Sequence, residues 1–139
     1  MTESIAPYHV TLVAYVALAA LFLMQTIVMD LTAIRAAHVP GMPVAGGHDS
    51  RLFRATRAHA NTNENFPIFL VLTLAAMLLG ASPWWTNTLA ATFVASRLVH
   101  MFAYYLDLRL LRSAAFAIGL TALFGLLACT GAALGLARG

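Results

Sequence analysis

From Val10 to Met29 the sequence carries no charged side chain, and Ala114 to Ala137 does the same. Each stretch is as long as the roughly 20 residues that take an α-helix across the hydrocarbon of a bilayer. The rest of the chain agrees with a lipid solvent. Only 9% of its 139 residues are charged and 61% are hydrophobic, whereas a soluble domain carries about 25% charged residues. So little charge cannot cover a surface that faces water. The first apolar run has no basic flank and is too long for the apolar part of a signal peptide, so it is expected to stay as a mature helix.

Two further spans are less plain. One starts near Trp84 and reaches Leu106, with Arg97 and His100 inside it. The other has an apolar part, Phe66 to Gly80, too short to cross at about 1.5 Å per residue. It must begin near Arg57, which draws Asn61, Glu64 and Asn65 towards the membrane. The expectation is a single all-α, four-helix transmembrane bundle with spans near 9–34, 57–80, 84–107 and 113–137. The eight basic residues are all arginine. Arg35, Arg51, Arg54 and Arg57 flank the first loop, and Arg109 and Arg112 flank the third. The turn between them, Gly80-Ala81-Ser82-Pro83, has no basic residue and leads into Trp84 and Trp85. By the excess of positive charge on cytoplasmic loops, loops one and three face the cytoplasm and both termini lie outside; Arg138 alone counts against this. The alanine and arginine bias fits a GC-rich bacterial genome, hence a bacterial inner membrane.

The polar residues within the spans follow helical spacing. Arg54, Arg57, Asn61 and Glu64 recur at steps of three, four and three, and so do Arg97, His100, Tyr104 and Asp107. Each set therefore shares one helix face. Arg35 ends the first helix and Arg112-Ser113 opens the fourth. Charge inside a membrane costs about 2.5–3.5 kcal/mol on insertion scales and marks function by default. The acids within reach are Asp30, Glu64 and Asp107, fewer than the arginines, so a bound anion would complete the balance. Guanidinium forks match carboxylates. Pro67 frees a backbone carbonyl inside the second span, which is tolerated beside a wet cavity. The plainer alternatives are an Arg97 ion pair with Glu64 or Asp107, headgroup anchoring by Arg51, Arg54 and Arg109, and loop or interface roles for His9, His38 and His48. Tyr8 and Tyr15 read as belt or packing residues, and Gly131 with Gly135 as a weak helix-packing signal. The lone Cys129 reads as packing, no metal-ligand spacing is present, and no basic stripe points to nucleic acid.

The stretch Arg57-Ala58-His59-Ala60-Asn61-Thr62-Asn63-Glu64-Asn65-Phe66-Pro67-Ile68-Phe69-Leu70 resembles the signature of the MAPEG family, the membrane-associated proteins in eicosanoid and glutathione metabolism. Arg97-Leu98-Val99-His100-Met101-Phe102-Ala103-Tyr104 and Leu111-Arg112-Ser113 resemble two further segments of that family, in the right order. The resemblance covers nearly the whole chain. It implies a homotrimer with glutathione bound between neighbouring subunits near the cytoplasmic end. Arg57, Asn61 and Glu64 would hold the peptide's carboxylates and amino group. Arg35, Arg97, His100 and Tyr104 would complete the site, with Arg112 beside the sulfur and Ser113 close by.

The implied chemistry is that of a glutathione transferase or peroxidase acting on a lipophilic second substrate. A thiol near pKa 8.5 is mostly protonated at neutral pH, and a neighbouring cation lowers that value; a helix N-terminus beneath Arg112 would add to the effect. The sequence departs from the prostaglandin-synthase branch at Ala60 and Phe116, which argues against that isomerase, and its Gly46-Gly47-His48 loop has no counterpart in the family pattern. Two alternatives stand beside the enzyme: a non-catalytic membrane binding protein of the same family, and a small four-helix transporter that would rely on Asp30 or Glu64.

Overall fold

The structure is a computed structural model and describes residues 5–137; Arg138 lies outside them. A short 3-10 turn, Ala6–Tyr8, leads into α1 (His9–Arg35). A second turn, Gly47–Asp49, precedes α2 (Arg51–Leu78), followed by α3 (Pro83–Tyr105) and α4 (Arg109–Leu136). The described residues contain no strand. Each helix packs on the next, α1 also packs on α3, and α2 on α4. Ala6–Arg35 and Arg109–Leu136 are each long and apolar enough to cross a membrane. The two middle helices carry the polar residues that depress their hydropathy.

Three helices stop in the same way. After α1, Ala37 N–H bonds Ile34 O and His38 N–H bonds Ala33 O. After α2 the pair is Gly80 to Met77 and Ala81 to Ala76, and after α3 it is Asp107 to Tyr104 and Leu108 to Ala103. This is the Schellman arrangement, in which one residue past the helix turns left-handed and the last carbonyls are satisfied. Gly80 fills that position without cost, but Ala37 (φ 49°) and Asp107 (φ 55°) fill it against their preference.

Two helices begin earlier than expected. The Ser50 hydroxyl accepts from Phe53 N–H at 3.3 Å, which caps α2 at Arg51. The Leu108 carbonyl takes the Arg112 N–H at 3.0 Å, so α4 starts at Arg109. Arg112 thus closes the first turn of α4 instead of opening the helix, and the free N–H groups of that helix lie nearer Arg109.

Leu18, Phe69, Phe93, Met101 and Leu126 form the core, with Ala58, Ala90 and Ala122 letting the helices approach. Phe69 and Phe93 stack at 4.6 Å, and Tyr15 meets Phe69 edge-on at 5.7 Å. Hydrogen bonds tie the helices on the side of this stack nearer the α2–α3 turn. The Tyr15 hydroxyl lies 2.6 Å from that of Thr73, and the Tyr8 hydroxyl donates to the Ala81 carbonyl. Asn87 of α3 accepts from the Thr11 N–H and hydroxyl and donates to the Pro7 carbonyl. It caps the start of α1, whose own N-cap, Tyr8, supplies no side-chain bond. Val16, Leu23, Ile27, Val71, Phe124 and Leu127 face outwards, as a bundle in lipid requires. Among the described residues nothing packs over Gly131 or Gly135, so their motif joins no two of the four helices.

One buried group stands out. Gln25 is fully buried, and neither atom of its amide has a partner among the described residues. An apolar side chain of similar length loses no bond there and removes an unmet amide. Gln25→Leu is therefore expected to raise stability by about 1 kcal/mol, measured by denaturant unfolding in detergent micelles; a less stable variant would show that the amide is satisfied.

Candidate functional site

The expected site residues gather where the first half of α2, the last half of α3 and the first turn of α4 meet. Arg97 is the centre of this end. It is only 1% exposed. Its NH1 donates to Asn61 Oδ1 at 2.5 Å and its NH2 reaches the Ala115 carbonyl at 3.4 Å. The guanidinium lies between the Phe93 and Phe116 rings, 5.4 and 5.8 Å from their centroids. The room comes from Gly119 of α4: a Cβ there would overlap the guanidinium and stand 2.5 Å from Ser96 Oγ. Arg97 thus has neutral partners only. An ion pair with Glu64 or Asp107 is absent among the described residues.

His100, 3% exposed, follows one turn later on α3. Its ring meets Tyr104 at 5.0 Å and Phe116 at 6.3 Å, and its Nδ1 has no partner among the described residues. Tyr104 is buried and presents its ring face to Arg112, whose guanidinium carbon sits 4.6 Å from the centroid. Ser113 is exposed beside Arg112, and its hydroxyl donates to the Arg109 carbonyl at 3.2 Å. A continuous chain of contacts therefore runs Asn61, Arg97, Phe116, His100, Tyr104, Arg112.

Other expected residues do not join that chain within one subunit. Arg57 and Glu64 are exposed on α2, and Arg35 is exposed at the end of α1. None of the three has a hydrogen-bond or ion-pair partner among the described residues. The shared face of α2 is therefore divided: Asn61 turns towards α3, while Arg57 and Glu64 turn outwards.

His48, expected to be a loop or interface residue, is in the loop, and its ring reaches Tyr104 and Arg112 of the candidate site. The turn Gly47–Asp49 folds over this end of the bundle. The His48 ring stacks on Tyr104 at 6.1 Å and meets Phe53 edge-on at 5.3 Å. Its Nδ1 is 3.1 Å from Arg112 NH1 and 4.0 Å from Asp107 Oδ1. Arg54 pins the turn by donating to the His48 carbonyl at 2.5 Å, so Arg54 acts here as a tie within the subunit. The signal in the sequence was Gly46-Gly47, since Gly46 at φ 103° makes the reversal that only glycine adopts readily. His59 was also missed. Its Nε2 lies 3.2 Å from the Thr26 hydroxyl and its ring 4.6 Å from that of Phe22, joining α2 to α1. A crevice of about 670 Å³ lies at the opposite end, lined by Leu79, Trp85, Leu89, Cys129 and Ala133. It is mostly apolar and remote from Arg97 and Arg112.

Four long helices with lipid-facing apolar sides and a cluster of arginine, histidine and tyrosine at one end define a small polytopic membrane protein. The chain belongs to the MAPEG family, whose family model matches residues 10–132. Its membership makes it a four-helix membrane bundle of the family associated with eicosanoid and glutathione metabolism. No curated protein matches the sequence.

Proposed function

We propose that the protein is a glutathione-dependent transferase or peroxidase, with Arg112 as the group that stabilises the glutathione thiolate. The observation that carries this reading is charge. Arg35, Arg57 and Arg112 have no carboxylate of their own chain within ion-pair distance among the described residues, and a tripeptide with two carboxylates and a thiol answers that surplus. Arg57 and Glu64 face outwards, exposed on α2 and without a partner among the described residues. A second copy of the chain would cover them, so the complete site lies between subunits of a homotrimer. The loops bearing most arginines lie at the end of the bundle that holds the site, which the positive-inside rule assigns to the cytoplasm. The cell membrane is that of a bacterium.

The roles divide by position. Arg57 and Arg35 hold the carboxylates of glutathione and Glu64 its amino group. Arg97 is sealed within the subunit and acts through Asn61, whose amide nitrogen is left to face the ligand. Arg112 faces the sulfur, with the Ser113 hydroxyl beside it. The thiol gives its proton to solvent, and the thiolate attacks an electrophilic carbon of a lipophile; the C–S bond forms as the leaving group departs with its electrons. With a lipid hydroperoxide the thiolate takes the distal oxygen. The O–O bond breaks, the lipid alkoxide takes a proton, and a second glutathione converts the resulting sulfenic acid to disulfide and water.

The test is ultraviolet absorbance of the thiolate with purified protein and glutathione in detergent. The wild type is expected to bind glutathione and show thiolate near neutral pH. Arg112→Ala is expected to raise the thiol pKa by about one unit, so that roughly tenfold less thiolate forms. Binding without thiolate in the wild type would favour the non-catalytic member of the family. Absence of binding would remove the glutathione reading altogether.

A further inference from the structure

The same nitrogen of His48 faces two groups with opposite demands. Arg112 NH1, 3.1 Å from Nδ1, has only hydrogens to offer, so this bond needs a lone pair on Nδ1. Asp107 Oδ1, 4.0 Å from the same Nδ1, is a buried acceptor with no partner among the described residues, and it needs a proton on Nδ1. A neutral imidazole with its hydrogen on Nε2 satisfies Arg112 and leaves Asp107 unmet. A protonated ring carries hydrogen on both nitrogens, cannot accept from Arg112, and places a second cation beside it. The two bonds exclude one another.

We propose that His48 is a positioning residue for Arg112: neutral, it holds the guanidinium over Tyr104; protonated, it transfers its bond to Asp107 and lets Arg112 go. The local fold supports the arrangement. Asp107 stands in the left-handed position that ends α3, where glycine costs less, and that placement brings its carboxylate to His48. Gly46 turns the loop inwards, Phe53 and Tyr104 hold the ring on two sides, and Arg54 fixes the backbone of the turn. The ring is 36% exposed and Asp107 32%, so protons reach both. The charged and titratable groups that face His48 are Arg112 from α4, Tyr104 from α3, Arg54 from α2, Asp107 from the link between α3 and α4, and Asp49 from its own turn.

The consequence for the proposed chemistry rests on Arg112 being the thiolate's partner: fixation of Arg112 would weaken as pH falls through the titration of His48, in addition to the thiol's own protonation. The device itself can be tested without glutathione. In the full-length protein with 15N-labelled histidine in micelles, the His48 ring nitrogens are followed against pH. The neutral form is expected to carry its proton on Nε2. Removing the cation in Arg112→Ala is expected to raise the His48 midpoint, and removing the anion in Asp107→Asn to lower it. A midpoint unmoved by both variants, or a neutral ring protonated on Nδ1, overturns the proposal whatever glutathione does.

The second arm reads thiolate absorbance of bound glutathione in three proteins. His48→Asn keeps an acceptor near Nδ1 that cannot take a proton, so it should retain thiolate and lose one proton from the pH dependence. His48→Leu keeps bulk without an acceptor and should form several-fold less thiolate than His48→Asn. Equal thiolate in His48→Leu and wild type overturns the positioning role. If glutathione does not bind at all, the proposed function falls, and the nitrogen titration still decides the switch.

Discussion

Arg97→Ala is expected to destabilise the bundle by about 3–5 kcal/mol, in the range of large buried truncations. A buried cation is often a poor source of stability in water, because solvent is a better host than the protein interior. The reference here is different. When the helices of this protein separate in the membrane, Arg97 faces lipid about halfway along its span. In the bundle it has the Asn61 oxygen at 2.5 Å, the Ala115 carbonyl at 3.4 Å and two aromatic faces. Association shelters the charge, so removing it removes a reason to associate. Truncation also leaves a void between Phe93 and Phe116 and an unmet Asn61 oxygen. Arg97→Met, which refills the volume without the bond, should fall between wild type and Arg97→Ala. Unfolding in mixed micelles measures all three, and an alanine variant as stable as wild type would refute this account of the core. Glutathione binding should weaken in both variants, through the freed Asn61.

Gly119→Val is expected to be as damaging, by about 3 kcal/mol or more. On helix propensity alone, replacing a mid-helix glycine stabilises by up to about 1 kcal/mol. The structure reverses that sign. A Cβ at Gly119 overlaps the Arg97 guanidinium and comes within 2.5 Å of Ser96 Oγ. Arginine ends are often free to move aside; this one is buried and bonded to α2 and α4, so it cannot yield without losing Asn61. A double-mutant cycle gives the sharper result. Arg97→Ala vacates the space that a side chain at 119 needs, so Arg97→Ala with Gly119→Ala should be more stable than the sum of the single effects by about 1–2 kcal/mol. Simple additivity would mean that the two positions do not meet.

These effects act at the same end of the molecule as the His48 switch but through different contacts. Arg97 joins α2, α3 and α4 from within. His48 joins the loop, α3 and α4 from outside, against Tyr104. His100 and Tyr104 lie between the two, and Ala115 and Phe116 of α4 also link the core to Arg112. Stability and thiolate formation should therefore separate: Arg97 variants lose both, and His48→Leu loses thiolate with little change in unfolding.

The solvent, the four helices and the end of the bundle where polar residues collect are legible in composition and spacing alone. Long uncharged runs have no stable home in water, and a spacing of three and four puts Arg97, His100 and Tyr104 on one face without reference to any neighbour. Spacing defines an angle around one helix, however, and says nothing of what stands opposite. Packing between helices decided that Asn61 turns inwards to Arg97 while Arg57 and Glu64, on the same polar stripe, turn out. It decided that Gly119 is an opening for a guanidinium, because an empty Cβ position has meaning only once another helix fills it. The folded backbone decided where α2 and α4 begin, since a serine cap and one leucine carbonyl extended both beyond their apolar cores. It also decided the place of His48, because a loop's path depends on backbone reversals at Gly46 and Asp107 and on the aromatic surface that receives it, and none of these leaves a period in the sequence.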